Sequence, residues 1–300
     1  MRVHLTALLA LFCLASARPA SSQTTGAFVA VHTRSGHTIP FAQMVDSLAL
    51  HDVVFLGEQH DDPQTHQAQE ALLRMLGERG RDVVLAMEMF ERDVQPVLNE
   101  YAAGRLSESD FMARARPWPN YASDYRPLVE IARRNRWPVA ASNVPRSVAS
   151  AVSRGGWAAL DTVPPALVAA ERRCAPEGEY FRRFGEAMGG MGGHGAAAGG
   201  ESPLERFYAA QCLKDETMAE SIHRARQTWP ERMVVHVNGG FHSERRLGVV
   251  ERTARRLPAA RIATVLMVPV PDPERADRTD AAALADYVVF TRAKRGSAAP

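Results

Sequence analysis

The chain has 300 residues, with 36 Lys and Arg against 34 Asp and Glu and a formal net charge of +2. That balance excludes a strong general pull towards nucleic acid. No apolar stretch reaches the roughly 20 residues a membrane-spanning helix needs, which leaves an exported or soluble globular chain.

Arg2 and His4 precede an apolar core over residues 5–15, too short to span a bilayer. Ala15-Ser16-Ala17 and Ala20-Ser21-Ser22 offer cleavage sites, so residues 1–23 read as a secretory signal. Phe12 stands where a lipobox needs a small residue before Cys13, which argues against lipoprotein anchoring. The remainder, roughly 275 residues, suffices for one sizeable α/β domain with an insertion. Cys174 and Cys212 survive removal of the signal, and in an oxidising compartment a disulfide between them is expected.

Residues 28–31 and 38–39, joined through Ser35-Gly36, predict a small hairpin ahead of the sheet, and residues 41–50 a short helix. Val53-Val54-Phe55-Leu56 is then an unalternating apolar run that suits a strand buried on both faces. It ends in Gly57-Glu58-Gln59-His60. Asp62-Pro63 follows as helix cap and first helical residue, and Ala68, Ala71, Leu72, Met75 and Leu76 recur at helical spacing. A second strand, Val83-Val84-Leu85-Ala86-Met87, ends in Glu88. Helices are predicted over residues 93–103, 107–114 and 125–136, and a third strand, Val139-Ala140-Ala141, ends in Ser142-Asn143. Strands alternating with helices of this length imply a mostly parallel sheet.

Residues 147–228 contain no convincing strand. They read as a helical insertion with a Gly-rich loop over 188–195 and a long helix opened by Ser202-Pro203-Leu204-Glu205. The sheet domain, residues 24–146 and 229–300, resumes at Met233-Val234-Val235-His236-Val237. That strand ends in Asn238-Gly239-Gly240-Phe241-His242, a second Gly-x-x-His. Residues 262–268 supply a further strand, and residues 286–290 a last one at an edge.

In parallel sheets, ligands sit beyond the carboxyl ends of the strands. Glu58, His60, Glu88, Asn143, Asn238 and His242 all fall there. Glu58, His60, Glu88 and His242 are candidate ligands for a divalent metal ion, having the donors that zinc, manganese or iron accept. Equally, His60, Glu88 and His242 form a candidate catalytic set, with His60 a general base oriented by a carboxylate. A structural role remains open for Glu88, as a buried carboxylate paired with Arg92 or Arg126.

Leu56-Gly57-Glu58-Gln59-His60-Asp61-Asp62 resembles a motif of the ChaN-like haem-binding uptake family, within the wider group of Tiki proteases and erythromycin esterases. Met87-Glu88-Met89-Phe90-Glu91-Arg92, Arg116-Pro117-Trp118-Pro119-Asn120-Tyr121, Asp124-Tyr125-Arg126-Pro127, Asn143-Val144-Pro145-Arg146, His236-Val237-Asn238-Gly239 and Phe241-His242 complete the likeness, which spans roughly residues 52–270. It implies haem binding linked to homodimer formation, iron acquisition at the bacterial envelope or periplasm, and an outer-membrane haem receptor system as partner. It also implies a tyrosine as haem ligand. Tyr180 and Tyr208 in the helical part come first, His194 is an outsider, and Tyr121 and Tyr125 are alternatives on the sheet domain. By resemblance to the Tiki branch, the paired Gly-x-x-His motifs with Glu88 would be the metal site of a hydrolase. By resemblance to the esterase branch, His60 would be a base without metal.

Overall fold

The structure, a computed structural model, describes residues 28–189 and 201–294. The signal over residues 1–23 and most of the Gly-rich tract, with His194, lie outside the described residues.

The strands are β1 (Phe28–His32), β2 (His37–Ile39), β3 (Val53–Glu58), β4 (Val83–Glu91), β5 (Val139–Asn143), β6 (Met233–Gly239), β7 (Ile262–Val270) and β8 (Tyr287–Arg292). They form one sheet in the order β2-β1-β8-β7-β3-β6-β4-β5. All pairings from β8 to β5 are parallel, while β1 runs antiparallel to both β8 and β2. The fold is therefore α/β with a mostly parallel sheet. One position differs from the sequence expectation: β8 is interior, because the N-terminal hairpin docks along it through β1. Val288 and Val289 are completely buried on opposite faces, as an interior strand requires.

The spatial order decides the site. After β5 the chain leaves the sheet and returns as β6, which fills the slot between β3 and β4. The two Gly-x-x-His turns thus end neighbouring strands, with Glu58 opposite Gly239 in register.

Alternation along the strands sends side chains to two cores. Val54, Leu56, Leu85, Met87, Val235 and Val237 pack beneath the helices Phe41–Leu48, Pro63–Glu78 and Arg126–Arg134. Val53, Phe55, Val84, Ala86 and Val234 pack on the opposite face against Met218, Ala219, Ile222 and Ala225 of the Pro203–Thr228 helix. Full burial of each such aliphatic side chain contributes about 1.5–3 kcal/mol. The same parity carries Glu58 to the first face and Glu88 to the second.

Caps follow the sequence expectation. Asp62 accepts the Thr65 N–H at 2.8 Å to open the Pro63–Glu78 helix. Ser202 and Glu205 make a reciprocal capping box at the start of the long helix. The helices Arg146–Gly155 and Gly178–Ala187 gather around the long helix's N-terminal half. A Cys174–Cys212 disulfide closes a sequence separation of 38 residues there. Among the described residues, no helix is long and apolar enough to cross a membrane.

Candidate active site at the sheet rim

Glu58 is the last residue of β3, and its buried carboxylate is fully engaged. The Tyr125 hydroxyl donates to Oε1 at 2.6 Å, and Gln69 Nε2 donates to Oε2 at 2.6 Å. His60 Nδ1 lies 2.8 Å from the same Oε1. Two residues beyond the strand, the His60 ring stands over the rim with 42% of its side chain exposed, edge-on to Trp118 at 4.9 Å. Burial opposes its charge, but the bond to Glu58 and the charges of Glu88 and Glu58 outweigh burial and raise its pKa.

Glu88 and His242 meet on the other face. His242 Nε2 lies 3.3 Å from Glu88 Oε1, and its Nδ1 lies 2.6 Å from Asp215 Oδ1. Burial pulls the pKa of His242 down, yet the two carboxylates overcome it and push the ring up to about 10. In its protonated form the ring directs an N–H at each carboxylate. Burial alone would raise the pKa of Glu88. The charge and bond of His242, the charge of His60 and the Gly239 N–H at 2.8 Å hold it well below the usual carboxylate range instead.

The two pairs are adjacent because Gly239 has no side chain. His60 Nε2 lies 2.6 Å, and Glu88 Oε2 3.7 Å, from the point where a Cβ on Gly239 would stand. Gly57 is similarly constrained, with Ser243 Oγ 2.8 Å from its Cβ position. Beside His60 opens a cleft of about 570 Å³, bordered by Asp61, His66, Glu70, Asn120, Asp124 and Lys294. Its wall includes the π-helical turn Tyr121–Tyr125, a geometry that often accompanies functional sites.

Among the described residues, no group of three or more His, Cys, Asp or Glu side chains is placed to hold a metal ion. The expected set of Glu58, His60, Glu88 and His242 does not converge as ligands, and the physical reason is visible. The two carboxylates leave the sheet on opposite faces. Both nitrogens of His242 are already taken up by carboxylates, Nδ1 by Asp215 and Nε2 by Glu88. Glu88 pairs with neither arginine considered for it: Arg92 binds Glu220, Ser221 and the Thr217 carbonyl, and Arg126 binds Glu108. Asn143 donates to the Glu88 carbonyl at 3.1 Å, and Asn238 to Ser243 Oγ at 2.9 Å, so both brace the rim from behind.

The candidate haem tyrosines are all buried. Tyr180 donates its hydroxyl to Asp215 Oδ2 at 2.7 Å, and burial together with that carboxylate pushes its pKa far up. Tyr208 is enclosed by the rings of Tyr180, Phe181 and Phe184, and burial raises its pKa too. Tyr121 is buried with its hydroxyl near Tyr101, while Tyr125 serves Glu58. Ferric haem takes a tyrosine as phenolate, and as placed in the ligand-free chain all four rings are covered by their neighbours, so none presents its oxygen to an incoming iron.

Sequence reasoning missed Asp215, Gln69 and the bond from Tyr180. A signal for Asp215 existed. Cys212, Asp215, Ala219 and Ile222 share one helical stripe, so a carboxylate stands where the periodicity demands an apolar residue.

A family model described as haem-binding uptake, Tiki superfamily, ChaN, matches residues 44–253. The chain belongs to the ChaN family. A structure of cofacial haem binding to ChaN of Campylobacter jejuni shares this fold, with a TM-score of 0.63 and 16% identity. The likeness covers 89% of this ChaN-family chain and 97% of that one. A mutant of the erythromycin esterase EreC, in its open conformation, is a second neighbour, at a TM-score of 0.51 and 10% identity. That likeness covers 86% of this chain and 95% of the esterase. No curated protein matches the chain.

Proposed function

We propose that this protein is an exported haem-binding protein of haem and iron uptake at the bacterial envelope. The observation that carries the reading is the family match over residues 44–253, which takes in β3 to β6 and every helix between them. The homodimer and an outer-membrane haem receptor belong to the same proposal. Haemin titrated into the purified mature protein should give a saturable Soret shift at micromolar concentration or below. A featureless linear increase in absorbance overturns the reading.

A second reading is favoured by the geometry of His60. With Nδ1 held by Glu58, the neutral ring carries its lone pair on Nε2, next to Gly239, while the ring itself borders a cleft, as a general base needs. Glu58 orients the ring and stabilises its protonated form. Glu88, anionic beside it, favours proton uptake. The arrangement suits a metal-independent hydrolase that activates water for attack on an ester. Activated aryl esters are the first substrates to try, and His60→Ala should lower the rate by about 10²-fold or more, with no effect of chelators. Equal rates in the two proteins would refute this second reading while leaving haem binding untouched.

A further inference from the structure

Tyr180, Asp215, His242 and Glu88 form a continuous buried chain of two hydrogen bonds and one ion pair from the disulfide-stapled helices to the sheet rim. The Tyr180 hydroxyl donates to Asp215 Oδ2 at 2.7 Å. Asp215 Oδ1 lies 2.6 Å from His242 Nδ1, and Glu88 Oε1 3.3 Å from His242 Nε2. Glu88 Oε2 then accepts the Gly239 N–H at 2.8 Å, next to the space filled by the His60 ring. Gln211, from the same helix as Asp215, donates its amide N–H to the Tyr180 hydroxyl oxygen at 3.0 Å. The backbone closes over this chain at Gly248, where a Cβ would meet the His242 carbonyl at 2.4 Å and the Tyr180 hydroxyl at 2.9 Å.

Each link has a reason. Asp215 is completely buried, and an ion there is tolerated only with partners on its oxygens. Tyr180 and His242 supply them. His242 in turn is held against Glu88, and a carboxylate bonded on one oxygen by an imidazole and on the other by a backbone N–H has a single orientation. That orientation faces His60. Arg252, whose guanidinium lies 5.6 Å from the Tyr180 ring, packs beside Cys212 of the disulfide, so the insertion and the rim share one packed unit.

We propose that Tyr180 and Asp215 are positioning residues that hold His242 against Glu88 and, through Glu88, fix His60 at the rim. Tyr180 thereby has a role other than haem ligation. The role belongs to the ligand-free protein, so it stands whichever of the two functions the rim serves.

The test is proton and carbon NMR of the histidine rings in the ligand-free mature protein, comparing wild type with Asp215→Asn, Tyr180→Phe and Tyr208→Phe. In wild type, the His242 Nδ1 proton should appear far downfield and exchange slowly. Asp215→Asn should abolish that signal and Tyr180→Phe should move it. Both should shift the His60 Cε1–H resonance, which Trp118 makes sensitive to ring position, while Tyr208→Phe leaves it in place. An unmoved His60 resonance in a folded Asp215→Asn protein overturns the proposal. If that variant does not fold, Tyr180→Phe decides, and unmoved His60 and His242 signals in it overturn the proposal as well. Loss of a phenolate–iron charge-transfer band in haem-loaded Tyr180→Phe would show Tyr180 to be a ligand after all.

Discussion

The imidazole of His60 occupies the space a side chain on Gly239 would need, with Nε2 2.6 Å and Cε1 2.8 Å from the Cβ position. The two residues come from different Gly-x-x-His motifs, and their contact is possible because β3 and β6 are neighbours with Glu58 opposite Gly239. Glycine is thus required at position 239 for room rather than for backbone freedom, since its φ of −58° is open to any residue. Gly239→Ala should push His60 off the rim or strain β6, at a cost of about 1–3 kcal/mol. A crystal structure and a urea melt of the variant check both parts. An undisplaced ring with wild-type stability would contradict the steric argument.

The pair of His242 and Glu88 predicts a stability profile with two limbs. The pKa of His242 is raised from 6.5 to about 10, so its contribution is complete below its ordinary value and is lost as pH climbs towards 10. That of Glu88 is depressed from 4.5, so its contribution is present above that value and fades as pH falls below it. Urea unfolding should therefore show declining stability from about pH 7 to pH 10. Glu88→Gln should flatten that limb, because one of the two carboxylates that charge His242 is gone. Parallel profiles for the two proteins would mean that Glu88 does not set the ionisation of His242.

How much of this was legible beforehand follows from what each feature depends on. The strands β3, β4, β5 and β6 announce themselves as apolar runs, and the polar residues that end them are local facts. The parallel sheet then places Glu58, His60, Glu88 and His242 on one rim by topology alone. What the sequence hides is which face each side chain takes and what meets it there. Glu58 and Glu88 look alike in sequence, yet strand parity sends one to Gln69 and Tyr125 and the other to His242. Asp215 stands on the apolar stripe of its helix, but what meets it there does not follow from the stripe, and its buried neighbours Glu216 and Thr217 read as solvated helix surface until the helix is known to be covered. The interior place of β8 depends on pairing with β1, some 260 residues away in the chain, which no local pattern encodes.

The Cys174–Cys212 bridge ties the segment before the Gly178–Ala187 helix to the core of the long helix. With a separation of 38 residues, closing the loop should stabilise the fold by about 3–4 kcal/mol through the unfolded state. Unreduced, unfolded mature protein should show no reactive thiol, and reduction should lower the urea midpoint. Two free thiols in protein purified under oxidising conditions would contradict the bridge. An unchanged midpoint after reduction would contradict its energetic role.

The remaining prediction concerns the dyad that gives the rim its accessible imidazole. Glu58 Oε1 lies 2.8 Å from His60 Nδ1, and Gln69 and the Tyr125 hydroxyl fix the carboxylate from two directions. The bond and the charge of Glu58 are two of the three influences that raise the pKa of His60 against burial, the third being the charge of Glu88. Glu58→Gln keeps the size of the side chain and an acceptor oxygen but removes the charge, so the midpoint of His60 should fall. Tyr125→Phe should act the other way: with one donor withdrawn, Glu58 becomes a stronger base towards His60, and the midpoint should rise. The sign of the two shifts is the decisive feature, since simple loosening of the site would expose His60 in both variants and move both midpoints in one direction. Titration of the His60 ring resonance in the three proteins measures them directly. If both variants shift it the same way, Glu58 is a passive strut, and the ionisation of His60 is set from the Glu88 side.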